Sequence, residues 1–167
     1  MSYLTEPLDS KHDRGNFSCG KEILDNYFWQ QAKQDVKRKL SACIVLVDKE
    51  TEKISGYYTL SSNSISNDLI PDSFKKKLPK SYLSLPTILI GRLAIDKNFQ
   101  GMGVGRILLI DSLKRCFDTS NSIGFFAVIV DPLDNEAEIF YAKYGFVKLP
   151  DSGKMFLPMK TISELFE

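Results

Sequence analysis

Residues 87–113 read TILIGRLAIDKNFQGMGVGRILLIDSL, and the fold turns on this stretch. Thr87 to Ile95 is an apolar, β-branched run, which predicts a strand. From Val104 to Phe117, the apolar Ile107, Leu108, Leu109, Leu113 and Phe117 predict a helix. Between them stands Gln100-Gly101-Met102-Gly103-Val104-Gly105. A glycine-rich turn that opens a helix presents backbone N–H groups outside the helical ladder. Those donors and the helix dipole favour a phosphate. Glycine suits the turn because a side chain would block the phosphate oxygens, and because positive φ is open to it. The spacing is not the dinucleotide G-x-G-x-x-G, and no Lys-Ser/Thr closes a P-loop. On glycine content alone, a tight strand-to-helix connection explains the turn equally well.

Working outward, the first strong element spans about Cys19 to Leu40. Leu24, Tyr27, Phe28, Gln31 and Ala32 follow helical spacing, Ser18 stands at an N-cap position, and Lys37, Arg38 and Lys39 fill the last turn. Ala42–Val47 and Ile54–Ser61 read as a hairpin around a polar turn. Ser62 to Leu85 is a polar, basic loop with a short helix near Ser73 to Lys77. It carries Lys75, Lys76, Lys77 and Lys80. Beyond the glycine turn and its helix come a fully apolar strand, Phe125–Val130, and a short helix, Asn135–Lys143. Two short strands follow, Phe146–Leu149 and Lys154–Met159. The order α-β-β-loop-β-α-β-α-β-β predicts a mixed α/β layer around one sheet.

Composition narrows the function. The 167 residues carry 22 Lys+Arg against 21 Asp+Glu, a net charge of +1, which argues against a general polyanion coat. This length predicts one domain, residues 1–167. No apolar run reaches the roughly 18 residues of a membrane span, and residues 1–14 do not read as a secretory signal. The three cysteines, Cys19, Cys43 and Cys116, form neither a disulfide framework nor a C-x-x-C pair, and suit the cytoplasm. With His12 as the one histidine, a multi-histidine metal site is excluded, and no G-x-S-x-G nucleophile motif occurs. No metal is expected.

Two signatures in order give the chain a family likeness. Gln100-x-x-Gly103-x-Gly105, after Leu93-Ala94-Ile95, resembles the acetyl-CoA pyrophosphate loop of the GNAT N-acetyltransferases. Ala137-Glu138-Ile139-Phe140-Tyr141-Ala142-Lys143-Tyr144-Gly145-Phe146 resembles that family's A-x-x-F-Y-x-x-x-G-F segment. Further segments are similar to one branch. These are His12-Asp13, Phe17-x-Cys19-Gly20, Leu24-Asp25-x-Tyr27, Gly56 to Ser61, Gly91 to Asp96 and Met155 to Met159. That branch is the GNAT-type toxins of bacterial toxin–antitoxin pairs, which acetylate the amino group of aminoacyl-tRNA. The stretch Asn67 to Leu85 is least characteristic of it. Where family members carry Asn before the short helix, this chain has Asp134-Asn135. Where arginines are common after the first helix, it has Lys37, Arg38 and Lys39, and lysine lacks the bidentate fork.

The resemblance implies a single GNAT domain with a mostly antiparallel sheet, splayed at the cofactor strand and flanked by helices. It implies acetyl-CoA held by Leu93, Ala94, Ile95, Gln100, Gly101, Met102, Gly103, Val104, Gly105, Arg106 and Asn135. Tyr141 is the implied catalytic acid, since a tyrosine of pKa about 10 is protonated at neutral pH and can donate to a departing thiolate. Read without the family, Phe140, Tyr141 and Tyr144 form the apolar face of a short helix. No glutamate falls where the family pattern would put a base. An α-amino group of pKa about 7.7–8.0 needs less help than a lysine amine at about 10.4, which favours an α-amino acceptor. Lys33, Lys37, Arg38, Lys75, Lys76, Lys77, Lys80 and Arg92 are the residues expected at tRNA phosphates. The implied partners are aminoacyl-tRNA and a ribbon-helix-helix antitoxin, and a homodimer is compatible with the pattern. Competing functions are acetylation of a small amine or protein N-terminus, and a CoA-binding module without turnover. Tyr141 and the glycine turn favour catalysis over the last.

Overall fold

In the computed structural model, which describes residues 2–167, contacts divide the chain into two units. One comprises the chain up to Ser61 together with Gly91–Ser112. The other comprises Ser62–Ile90 and Leu113–Glu167.

The first unit begins with a strand that the sequence reading lacks, β1 (Tyr3–Pro7), paired antiparallel with β2 (Ala42–Asp48). Its half-exposed, mixed residues show no clean alternation. β2 is a buried, β-branched run and pairs antiparallel with β3 (Ile54–Ser66), whose residues up to Ser61 belong here. The expected long first helix is two helices, α1 (Glu22–Gln30) and α2 (Ala32–Lys37). The break is Gln31, at φ −122°. Past it, Asp35 turns inward and accepts from the Tyr27 hydroxyl at 2.8 Å. Ser18 is not the N-cap. Lys21 holds that position without a side-chain cap, while the Ser18 hydroxyl donates to Asp25 Oδ2 at 2.8 Å. Phe17, Phe28 and Tyr57 build the core under α1, with Phe28 and Tyr57 stacked at 4.3 Å.

β4 (Ser84–Ile95) enters this unit at Gly91, and α4 (Val104–Thr119) begins in it. Gly56 is required here by close approach. A Cβ on it would lie 2.5 Å from Leu108 Cδ1 and 2.9 Å from the Ala94 carbonyl oxygen. Tyr58 then donates to Asp111 Oδ2 on α4 at 2.5 Å.

In the second unit, α3 (Asp72–Lys75) lies in the basic loop. Residues Thr87–Ile90 of β4 pair in parallel with β5 (Ala127–Val130), a fully buried strand. α5 (Asn135–Lys143) is capped by Asp134, whose carboxylate accepts from the Ala137 N–H at 2.9 Å. β6 (Val147–Lys148) pairs with β7 (Met155–Pro158), and β7 pairs antiparallel with β5. A last helix, α6 (Met159–Phe166), follows Pro158 and is also absent from the sequence reading. The strand order is β1-β2-β3-β4-β5-β7-β6. The β4–β5 register is parallel and the other four registers described here are antiparallel, so the fold is mixed α/β with a mostly antiparallel sheet. Among the described residues no helix is long and apolar enough to cross a membrane.

Candidate functional site

The glycine turn is held by side chains before it and by the N-terminal loop. After Ile95 the chain makes one 3₁₀ turn, Lys97–Phe99. Asp96 starts it, accepting from the Asn98 N–H at 2.9 Å and from the Ser18 N–H at 3.0 Å. The Gln100 carboxamide donates to the carbonyls of Ile95 and Cys19, both at 2.9 Å. Its side chain is thus a tie between the strand end and the N-terminal loop. Gly101 and Gly103 follow at φ +79° and +78°, and a Cβ on either would meet no atom within 4 Å. Backbone conformation demands glycine there, and the space beside it is open. Gly105 lies within α4 and is not among the positive-φ residues. Val104 is buried, while Met102 and Arg106 are exposed. The helical bonding opens with the Ile107 N–H on the Gly103 carbonyl at 3.3 Å, so the N–H groups just before it lie ahead of the ladder. Open left-handed glycines, unladdered N–H groups and an exposed arginine fit a pyrophosphate.

The strand that feeds this turn carries Leu93, Ala94 and Ile95. The parallel β4–β5 register stops at Ile90, and β4 runs on for five more residues. Ala94 is buried, with Leu93 and Ile95 half-buried. Arg92 lies with its guanidinium 3.4 Å from the Tyr27 ring centroid. Tyr27 is fixed by its bond to buried Asp35, and burial followed by that bond pushes its pKa up to about 12. The Tyr27–Asp35 support beneath Arg92 escaped sequence reasoning, because only the break at Gln31 brings the two side chains together.

In the second unit, Tyr141 is buried on α5. Its ring packs on Phe140 and Phe146, each with centroids 5.3 Å away. Burial raises its pKa, so the phenol holds its proton throughout the neutral range. The hydroxyl makes no hydrogen bond to any described residue. Tyr144 packs on Phe140 at 5.1 Å and is partly exposed. Asn135, the first residue of α5, is exposed.

The basic residues fall in two groups. Lys33, Lys37 and Arg38 are exposed on and after α2, and none forms an ion pair with a described residue. In the other unit, Lys76, Lys77 and Lys80 are exposed and Lys75 is half-buried, also without ion pairs to described residues. His12 has a structural place. Its Nδ1 accepts from the Asp9 N–H at 3.0 Å, which leaves the proton on Nε2, 2.7 Å from Glu6 Oε1. The three cysteines are free and buried. Burial pushes Cys19 up to about 11, and Cys43 and Cys116 up to about 12, so none is a neutral-pH nucleophile.

Residues 13–146 match the model of the acetyltransferase (GNAT) family. The chain is 33% identical to the probable toxin TacT of Sinorhizobium fredii (strain NBRC 101917 / NGR234), over 97% of this chain and 94% of that protein. It is 34% identical to the tRNA-acetylating toxin of Mycobacterium tuberculosis (strain ATCC 25618 / H37Rv), over 96% and 95%. Among solved structures, AtaT complexed with acetyl-methionyl-tRNAfMet superposes with a TM-score of 0.90. It is 28% identical and covers 99% of this chain and 100% of that one. A mutant AtaT toxin bound to the C-terminus of the antitoxin AtaR and acetyl-CoA gives 0.82 at 26% identity, over 98% of each chain.

Proposed function

The chain belongs to the acetyltransferase (GNAT) family, and from that membership we propose that it moves an acetyl group from acetyl-CoA to the α-amino group of aminoacyl-tRNA, blocking translation. The observation that carries this reading is the turn at Gly101 and Gly103, left-handed, open, and set at the start of a 16-residue helix. The relatives' activity supplies the acceptor.

When bound, acetyl-CoA supplies the activated acetyl thioester. The N–H groups of Gly101 to Arg106 hold its pyrophosphate, with the Arg106 guanidinium adding charge. Met102 and Val104 contribute backbone to that cradle, and the Val104 side chain anchors it in the core. Backbone groups of Leu93, Ala94 and Ile95 orient the pantetheine arm, and a preorganised N–H at the carbonyl oxygen is worth roughly 3 kcal/mol. Asn135 is assigned to the cofactor as well, at the exposed start of α5. Tyr141 holds a proton on its hydroxyl and delivers it to the leaving sulfur. Burial raises its pKa, so the hydroxyl carries its proton throughout the neutral range. The α-amino acceptor reaches its neutral form near pH 7–8, and the proton its nitrogen sheds on acylation passes through solvent to restore the Tyr141 hydroxyl, so no side-chain base is assigned.

Lys33, Lys37, Arg38 and Arg92, and in the other unit Lys75, Lys76 and Lys77, neutralise tRNA phosphates. Residues 1–167 act as one catalytic domain. The partners proposed are a ribbon-helix-helix antitoxin and a second copy of the chain, in the cytoplasm, where three free thiols stay reduced.

The test is incubation with labelled acetyl-CoA and total charged tRNA, with deacylated tRNA and a panel of small amines as controls. Label should appear on charged tRNA alone. Label on the amines and none on charged tRNA would replace this reading with small-amine acetylation.

A further inference from the structure

The basic loop between β3 and β4 is a built platform, and its outward face combines charge with an exposed ring. Asn67 closes its base. The Asn67 N–H donates to the Leu83 carbonyl and its Nδ2 to the Tyr82 carbonyl, both at 2.9 Å. Inside the loop, Ile70, Phe74 and Leu78 pack into the core of their unit, and Phe74 meets Phe156 edge-on at 5.1 Å. Phe74 lies in α3, and Leu78 follows three residues beyond its end, with its N–H on the Lys75 carbonyl at 3.0 Å. Lys76, Lys77 and Lys80 are left outside, exposed and without ion pairs to described residues. In the same loop, two residues past Lys80, Tyr82 is 54% exposed, and its backbone carbonyl accepts from Asn67. An exposed ring within a few residues of three lysines without ion pairs is a combination that suits single-stranded nucleic acid. The lysines take phosphates, and the ring takes a base face.

We propose that this loop, through Tyr82 stacked on an unpaired base and Lys76, Lys77 and Lys80 on the adjoining phosphates, is a contact surface for unpaired nucleotides of tRNA. The inference rests on the aminoacyl-tRNA reading above. It places a sequence-tolerant RNA contact in the segment between β3 and β4. Stacking supplies affinity without reading hydrogen-bond edges, so the loop selects for a splayed, single-stranded region.

The experiment measures binding of unacylated tRNA by fluorescence anisotropy and, separately, KM for charged tRNA in acetyl transfer. The variants are Tyr82→Ala, Tyr82→Phe and a triple Lys76→Gln/Lys77→Gln/Lys80→Gln. Tyr82→Ala should weaken RNA binding and raise KM about tenfold, the scale of one lost base–aromatic stack. Tyr82→Phe should bind like wild type, because the ring and not the hydroxyl does the stacking. The triple variant should flatten the slope of log affinity against log salt by about 2–3. Acetyl-CoA affinity and melting temperature should hold in all three, since these side chains are exposed.

Outcomes separate the two readings. A wild type that acetylates charged tRNA, with variants that match it in binding and KM, overturns this loop assignment alone. A wild type that binds no tRNA overturns both. Variants that keep RNA affinity but escape neutralisation by a protein partner would assign the surface to that protein instead and end the proposal.

Discussion

Replacing Gly103 with alanine separates the turn's geometry from its ligand. Gly103 sits at φ +78°, and the added methyl would meet no atom within 4 Å. Sterics within the fold therefore cost nothing, and the whole penalty is the left-handed backbone, about 1–2 kcal/mol for an L-residue. A domain of this size loses about 2–4 °C per kcal/mol, so the melting temperature should fall by about 2–8 °C. A fold that survives can relieve the strain only by turning φ negative, which swings the adjacent N–H away from the phosphate. Losing one hydrogen bond to a charged group costs about 1.5–3 kcal/mol, or about ten- to hundredfold in acetyl-CoA affinity. Gly105→Ala is the control. It lies in α4 without positive φ, so it carries none of the left-handed penalty. Differential scanning calorimetry and isothermal titration with acetyl-CoA read the two quantities apart. If Gly103→Ala melts with wild type and binds acetyl-CoA as tightly, the turn is not left-handed in solution and no phosphate approaches it.

Four further expectations follow from single features. Tyr141→Phe keeps the ring that packs on Phe140 and Phe146, so stopped-flow turnover should drop about 10²-fold or more while acetyl-CoA affinity holds; Tyr144→Phe should turn over normally. Lys37→Glu/Arg38→Glu should weaken tRNA binding in filter assays and leave acetyl-CoA affinity intact, since both side chains are exposed and outside the turn. Gly56→Ala forces a methyl to 2.5 Å from Leu108 Cδ1, and overpacking of this kind costs about 1–3 kcal/mol, which thermal melts should report. Cys43 and Cys116 have folded pKa values of about 12 against 9.0 unperturbed, so the unfolded chain loses these protons first. Their contribution is complete below pH 9 and fades between pH 9 and about 12, by about 1.4 kcal/mol per pH unit for each group. Urea titrations at pH 8 and 10.5 would expose a wrong sign as equal or rising stability.

The sequence reading was strongest where one signal dominated. The strand-turn-helix of residues 87–113 was legible because an apolar β-branched run, three glycines and a helical apolar stripe agree on one answer. α5 was legible to the residue, and the Asp134 cap that fixes its start is seen only in the fold. Where the signal depended on tertiary partners, it failed. The α1–α2 break at Gln31 is invisible to periodicity, because helical spacing continues across it and only the Tyr27–Asp35 bond rewards the turn inward. β1 has no alternation to show, and it exists because β2 offers it a full register. α6 was overlooked because Met159 reads as the last residue of a strand, although Pro158 and the buried Ile162 carry a helix signal. At the candidate site, the motif marks the glycine turn and Tyr141 but not the side chains that brace the turn. Asp25 and Asp96, buried acids that accept backbone N–H groups of the 18–19 loop, look from sequence like surface charge.

Those supports change what the glutamine of the turn is for. Read as a motif, Gln100-x-x-Gly103-x-Gly105 suggests six residues that all face a ligand. In the fold, the Gln100 amide is already spent on two carbonyls, one at the end of β4 and one in the loop before α1. The Asp96 carboxylate repeats the same bridge one turn earlier, joining the Ser18 N–H to the 3₁₀ turn. Two side chains thus fix the entry to α4 from one side, and two left-handed glycines set the backbone leaving it. The motif encodes a shape, and the shape leaves main-chain donors unspent where a phosphate can collect them. The turn's geometry therefore rests on positions whose side chains are absent or turned inward, while Met102 and Arg106 carry the exposed side chains of the same turn. Preorganisation of this kind is what lets a site recognise a pyrophosphate by backbone alone, because the cost of ordering the donors is met in folding rather than in binding.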